Sequence, residues 1–231
     1  SQVQGGAEIL DVNVGHPEID EKKMMVRVLK AIQSVCDVPL QIDSTKPEVI
    51  EAGLRYYNGK PILNSVNGEE QSLATVLPLV KKYGASVVGL ALDENGIPKT
   101  AEGSFEIAKR IVERAEAVGI DRKDVYIDCL TLTVSAEQAA CRQTLEALHR
   151  VKTELGCKTC LGVSNISFGL PNRELVNRTF LTMAMEQGLD LPIINPNVES
   201  MTGAVRAFRV LNGIDKNSLE FINAYNDAVP A

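Results

Sequence analysis

A chain of 231 residues, 45% of them hydrophobic, suits one large domain with a sizeable core. Its 24 basic and 30 acidic residues leave a net charge of −6, dispersed without a basic stripe, which excludes a non-specific grip on nucleic acid or on an anionic membrane. No apolar run reaches the roughly 20 residues a bilayer span needs, the start Ser1-Gln2-Val3-Gln4 is too polar for a signal peptide, and five cysteines in so long a chain suggest reduced thiols in a cytoplasmic protein.

In chain order, Gln2–Ala7 reads as the tail of a helix, and seven strand-then-helix units follow. Glu8–Val14 is apolar, stops in Asp11 and Asn13, and leads through Gly15 and Pro17 to a helix over Ile19–Val35. Pro39–Thr45 ends in Asp43-Ser44-Thr45, after which Pro47 opens a helix, because proline suits the first helical turn. Pro61–Asn67 ends in Asn64 and Asn67, with an acidic helix start at Glu69-Glu70. Ser86–Leu92 runs into the turn signal Asp93-Glu94-Asn95-Gly96, ahead of a helix over Ala101–Ala117. Val125–Leu132 carries Asp128 inside an otherwise apolar strand and is followed by a helix from Ser135 or Ala136 to Leu155. Lys158–Ile166 precedes a helix over Arg173–Gln187, and Leu191–Asn195 precedes one over Glu199–Leu211. The tail from Gly213 to Ala231 is more polar and reads as a loose final helix, or as a lead into another domain.

Strands alternating with helices in this way predict a parallel sheet with right-handed crossovers. Near-regular spacing, and the lack of Gly-x-Gly-x-x-Gly after the first strand, favour a TIM (β/α)8 barrel over an open doubly wound sheet. Only seven strands are read, so the expectation is a barrel lacking its first strand, with that strand preceding Ser1 and two edges left unpaired.

Asp11, Asn13, Asp43, Asn64, Asp128 and Asn165 fall at or near strand C-termini, which in a barrel converge on one mouth. The set holds carboxylates and carboxamides, without the lysine of a Schiff-base aldolase or the base a nucleophilic hydrolase needs. Asn165, in Leu161-Gly-Val-Ser-Asn165, offers a donor and an acceptor together, the pair that grips a heterocycle with ring nitrogens and a carbonyl; closing a turn is its commoner use. Asp128 would be costly to bury without partners, and a ring N–H beside an amino group would satisfy both its oxygens, whereas a purely structural Asp would cap loop N–H groups. His16 is read as a loop residue and His149 as lying on a helix face. Cys157-Lys-Thr-Cys160 has redox or zinc spacing but lacks a second ligand pair, so Cys160 is read as an inward strand residue, Cys157 as a boundary one, and no metal is assigned.

Six segments, ILDVNVG (Ile9–Gly15), IDST (Ile42–Thr45), NSVNGEE (Asn64–Glu70), GIPKT (Gly96–Thr100), YID (Tyr126–Asp128) and LGVSNISFGLPNRELVNRTFL (Leu161–Leu181), together resemble the pterin-binding methyltransferase family, in order and over nearly the whole chain. That family includes methyltetrahydrofolate:corrinoid methyltransferases and the folate domain of cobalamin-dependent methionine synthase, to which the likeness is strongest. The resemblance implies a TIM barrel that binds 5-methyltetrahydrofolate and passes its N5 methyl to the cobalt(I) of a corrinoid held by a partner domain or protein. It implies that Asp43, Asn64 and Asp128 hydrogen-bond the pterin ring and that Asn165, with Gly162 and Ser164 beside it, approaches N5. Asn13 would join the pterin pocket and Arg173 would lie near the outer part of the folate. Asn165 and Asp128 are the catalytic candidates, and a homodimer is allowed. Two alternatives stay open. A dihydropteroate-synthase-like enzyme would want a strand-end lysine, and the chain offers only Lys158 at a strand start. A catalytically silent folate-binding module inside a larger protein is the other.

Overall fold

The computed structural model describes residues 1–226. They form β1 (Leu10–Asn13), α1 (Glu21–Gln33), β2 (Leu40–Asp43), α2 (Pro47–Tyr56), β3 (Ile62–Asn67), α3 (Glu70–Tyr83), β4 (Ser86–Leu90), α4 (Ala101–Ala117), β5 (Val125–Asp128), α5 (Ala140–Arg150), β6 (Lys158–Gly162), α6 (Arg173–Glu186), β7 (Leu191–Ile193), α7 (Glu199–Leu211) and α8 (Leu219–Tyr225). The strands make one parallel sheet in sequential order from β1 to β7. This is a TIM-barrel-like fold lacking one strand, a curled sheet that no pairing closes between β7 and β1 among the described residues. None of their helices is long and apolar enough to cross a membrane.

Alternation along each strand sorts side chains between two cores. Val12, Ile42, Leu63, Val87, Ile127 and Leu161 point outward into the main cluster, where the helices bury them with residues such as Met25, Leu29, Ile50, Leu77, Ile111 and Leu148. Ile62, Val88 and Cys160 point inward and form a smaller cluster with Leu90, Tyr126, Leu191 and Ile193. The residues alternating with the outward set on β1–β3 are Asp11, Asn13, Gln41, Asp43 and Asn64, so the upper inner wall there is polar.

Local signals explain the helix boundaries. The Asp20 side chain accepts from the Lys23 N–H at the start of α1, Thr100 accepts from the Gly103 N–H at the start of α4, and Pro47 stands at the first turn of α2. Gly84 closes α3 in the left-handed conformation. Gly68 is required for a different reason, close approach: its N–H donates to the Leu92 carbonyl at 2.8 Å, and a Cβ there would lie 2.6 Å from Ile107 and 2.9 Å from the Leu92 oxygen. Gly68→Ala is expected to destabilise the fold by about 1–3 kcal/mol, read as a lower midpoint of thermal unfolding.

Four expectations are corrected. Gln2–Ala7 is not helical; it is a run of turns closed by bonds such as Gly5 N–H to Ser1 O and Ala7 N–H to Gln2 O. The fifth strand stops at Asp128 rather than Leu132, because Leu130 turns left-handed with φ 55°. The helix after it begins at Ala140, not Ser135, since the Thr133 and Ser135 hydroxyls donate instead to the Phe168 carbonyl. The sixth strand ends at Gly162, and Val163–Ser167 is a 3-10 turn, so Asn165 sits on that turn rather than in a strand. The expected final helix appears as α8; residues 227–231 of that reading lie outside the described residues.

Candidate functional site

Parallel pairing places Asn13 beside Asp43 and Asp43 beside Asn64, three polar side chains abreast on adjacent strands, the first two at their strands' C-terminal ends and Asn64 in mid-strand. The Asn13 amide donates to Asp43 Oδ2 at 2.8 Å. One step lower, the amide of Gln41, only 2% exposed, donates to Asp11 Oδ1 at 2.8 Å, and the Asn64 side chain also hydrogen-bonds Asp11. Burial pushes the Asp11 carboxyl above its ordinary value and the charge of Asp43 adds to this, while the bonds from Gln41 and Asn64 oppose it. Burial raises the Asp43 carboxyl too, with the Asn13 amide opposing. Each carboxylate on this wall is thus held by an amide rather than by a cation.

Asp128 ends β5 at 7% exposure. The Leu130 N–H donates to its Oδ1 at 2.7 Å, and the Gly162 N–H from β6 also binds it. Burial outweighs both donors and pushes its pKa up to about 6. Gly162 links Asp128 to Asn165: a Cβ at 162 would lie 3.1 Å from the Asn165 amide nitrogen, a tight contact that the amide would have to yield to by a few tenths of an ångström. The turn carrying Asn165 is braced from outside. Arg173 donates from Nε to Ser167 Oγ at 3.0 Å and from Nη2 to the Ser164 carbonyl at 2.9 Å, and its guanidinium lies 4.5 Å from the centre of the Phe168 ring.

The predicted residues therefore resolve into two groups on one inner surface. Asn13, Asp43 and Asn64 form the first; Asp128, Gly162 and Asn165 form the second. The buried thiol of Cys160 joins them, since the charges of both Asp128 and Asp11 act on it. Ser164 and Arg173 are joined to the second group through the turn's outer side, both being exposed. His16 is an exposed loop residue whose Nδ1 accepts from the Glu18 N–H, and His149 is exposed on α5. Cys157 stands at the boundary of β6, directly before Lys158, and is buried; it lies in the outer cluster and Cys160 in the inner one, so the pair does not converge. Two contributors had escaped the sequence reading. Gln41 carried a usable signal, being two residues before Asp43 and hence on the same face; the structure of the Leu130 turn carried none.

Some surface hollows lie elsewhere. One of about 630 Å³ runs along α4 and the loop before it, bordered by Asp93, Lys109, Arg110 and Glu113, and Arg110 there is already paired with Asp93 at 3.0 Å. Neither titratable group of that ion pair is on the inner wall of the sheet. The strand ends, by contrast, carry carboxylates whose protonation burial has shifted, the usual mark of a site that meets a ligand.

A family model described as pterin binding enzyme matches residues 1–195. Methionine synthase of Mycobacterium leprae is 35% identical over 207 residues, 84% of this chain and 17% of that protein. The chain thus spans about a sixth of the methionine synthases it matches, that of Mycobacterium tuberculosis giving the same 17%. Methylcorrinoid:tetrahydrofolate methyltransferase of Eubacterium limosum is 30% identical over 231 residues, 97% of this chain and 84% of that one. In fold the chain resembles Yersinia pestis dihydropteroate synthase with a pterine–sulfa conjugate (TM-score 0.72, 18% identity, covering 91% of this chain and 85% of that one). It also resembles Xanthomonas albilineans dihydropteroate synthase in complex with 7,8-dihydropteroate (TM-score 0.70, 18% identity, 91% and 81%). The chain belongs to the pterin-binding enzyme family, in its methyltransferase branch.

Proposed function

We propose that the strand ends bind 5-methyltetrahydrofolate by its pterin ring and that the N5 methyl is transferred to the cobalt(I) of a corrinoid carried by a partner domain or protein. The observation that carries the reading is the alignment of Asn13, Asp43 and Asn64 across β1–β3, with Asp128 and Asn165 adjoining on β5 and the turn after β6. Carboxylates without cationic partners, faced by amides, suit a flat ring with several N–H donors and a carbonyl.

In this reading Asp128, Asp43 and Asn64 hold the ring and fix its plane, and Asn165 faces N5. The methyl leaves N5 only if that nitrogen can take back the bonding electron pair, which protonation allows. The Asn165 side-chain oxygen, accepting from N5–H⁺, would bind more strongly as positive charge develops than in the ground state. The corrinoid supplies the nucleophilic metal centre for the methyl. The donors of this wall are hydrogen-bonding amides and carboxylates, which fit the folate, and the corrinoid is assigned to the partner. The same site can work in reverse, the direction that the name of the Eubacterium relative gives; the partner then supplies the methyl group. A dihydropteroate-synthase-like condensation is the rival reading, and pterin diphosphate in place of methyltetrahydrofolate tests it.

Calorimetric titration with 5-methyltetrahydrofolate from pH 5 to 8 tests the binding mode. Ring N–H donors need the ionised carboxylate, and Asp128 ionises only at about 6. Affinity is expected to rise with pH up to about 6, close to tenfold per unit at the acid end, and to level above it. A flat profile across that range would remove Asp128 from the contact. The sign for stability is opposite. A carboxyl raised in the fold from 3.8 to about 6 stabilises the free protein below the lower value, and that contribution is lost as pH rises through the upper one.

A further inference from the structure

We infer that Thr144, on the outer helix α5, is a positioning residue for the Asp128 carboxylate, acting through the left-handed turn at Leu130; as a statement about folate it rests on the binding mode proposed above. Leu130 has φ 55°, a conformation a leucine adopts only when its surroundings impose it. Both of its backbone polar groups are held. Its N–H donates to Asp128 Oδ1 at 2.7 Å, and its carbonyl accepts from Thr144 Oγ1 at 3.1 Å. Thr144 is only 5% exposed, so water does not readily replace its hydroxyl at that carbonyl. Released from Thr144, Leu130 would relax toward ordinary backbone angles and swing its N–H away from the carboxylate. Gly162 would remain the one backbone donor to Asp128.

The Leu130 N–H takes Oδ1 and the Gly162 N–H also acts on the carboxylate, so the acceptor capacity left over is what a ligand would use. The titratable groups facing it are few. Tyr126 shares its strand, Cys129 follows directly after it, and Cys160 and Lys158 lie on β6; β4 brings Leu90 alongside. Burial holds the Cys129 and Cys160 thiols protonated far above neutral pH, so neither changes charge where Asp128 does. On the side of α5 that packs inward, Ala140, Leu145 and Leu148 are apolar and Thr144 alone carries a polar group to this turn.

The test is ¹³C carboxyl NMR of the folate-free protein, with the Asp128 signal assigned by its loss in Asp128→Asn. Thr144→Val keeps the shape and removes the donor; Thr144→Ser restores the hydroxyl. The expected result is an Asp128 midpoint near 6 in the parent and in Thr144→Ser, raised by about one pH unit in Thr144→Val. Should Thr144→Val not fold, Thr144→Ala takes its place beside the serine variant. A midpoint that stays put in a folded variant lacking the hydroxyl overturns the inference, whatever folate does. Methyltetrahydrofolate titration of the same variants is read separately. The acid limb of affinity should move with the NMR midpoint in Thr144→Val, whereas an unchanged affinity in Asp128→Asn would remove the pterin-binding mode and leave the positioning role of Thr144, as read by NMR, standing.

Discussion

Asn165→Ala is expected to slow methyl transfer by about 100- to 1,000-fold while changing the dissociation constant for 5-methyltetrahydrofolate by less than about threefold. The split follows from what the side chain would do. It adds little to holding the ring, because Asp43, Asn64 and Asp128 are there to grip the edge, and it meets N5 most strongly when that nitrogen carries a proton. The variant should fold. Val163, Ile166 and Ser167 bury the 3-10 turn without help from the Asn165 amide, and Arg173 ties the turn through Ser167 and the Ser164 carbonyl. Single-turnover rates and calorimetric affinities on the same preparation decide it; equal losses in both would make Asn165 a ring contact rather than a group that acts on the transition state.

Asp128→Asn is expected to separate binding from stability in the opposite sense. The carboxamide presents an NH2 where ring donors need an acceptor, and loss of a charge-assisted pair should weaken folate binding by about 1.5–3 kcal/mol, roughly 10- to 100-fold. Above pH 6, however, the parent protein holds an ionised carboxylate that burial disfavours. Removing that charge should leave the folate-free variant as stable as the parent or more so, by up to about 3 kcal/mol. Thermal unfolding at pH 5 and pH 8 reads this directly: the variant's advantage should exist at pH 8 and shrink at pH 5. Lower stability at both values would mean that the carboxylate serves the fold rather than a ligand.

The fold and the polar wall were largely legible because they rest on period-two alternation and strand ends. Asp43 and Asn64 each stop a short apolar run in small polar residues, and the structure sets them side by side. Where reading by pattern failed, the deciding interaction was distant in sequence. Nothing near Leu130 announces a left-handed leucine, since the hydroxyl that holds its carbonyl comes from Thr144. Ser135 resembles a helix start, yet its hydroxyl goes to Phe168, 33 residues on, and the helix waits until Ala140. The Gly162-Val163 step looks like continuing strand because Val and Ile favour extended backbone, while the 3-10 turn is fixed by the bracing from Arg173. Gln41 went unread because a lone polar residue in a strand is ordinary; only its pairing with Asp11 gives it meaning.

The carboxylate–amide wall as a pterin clasp, with Asn165 serving the departing methyl, is tested most directly by stopped-flow consumption of free cob(I)alamin by the protein mixed with 5-methyltetrahydrofolate. A rate that saturates with folate, and that Asn165→Ala lowers by about 100- to 1,000-fold while calorimetry still records binding, is the result expected. No folate-dependent consumption, or a rate indifferent to Asn165 and Asp128 alike, would contradict it.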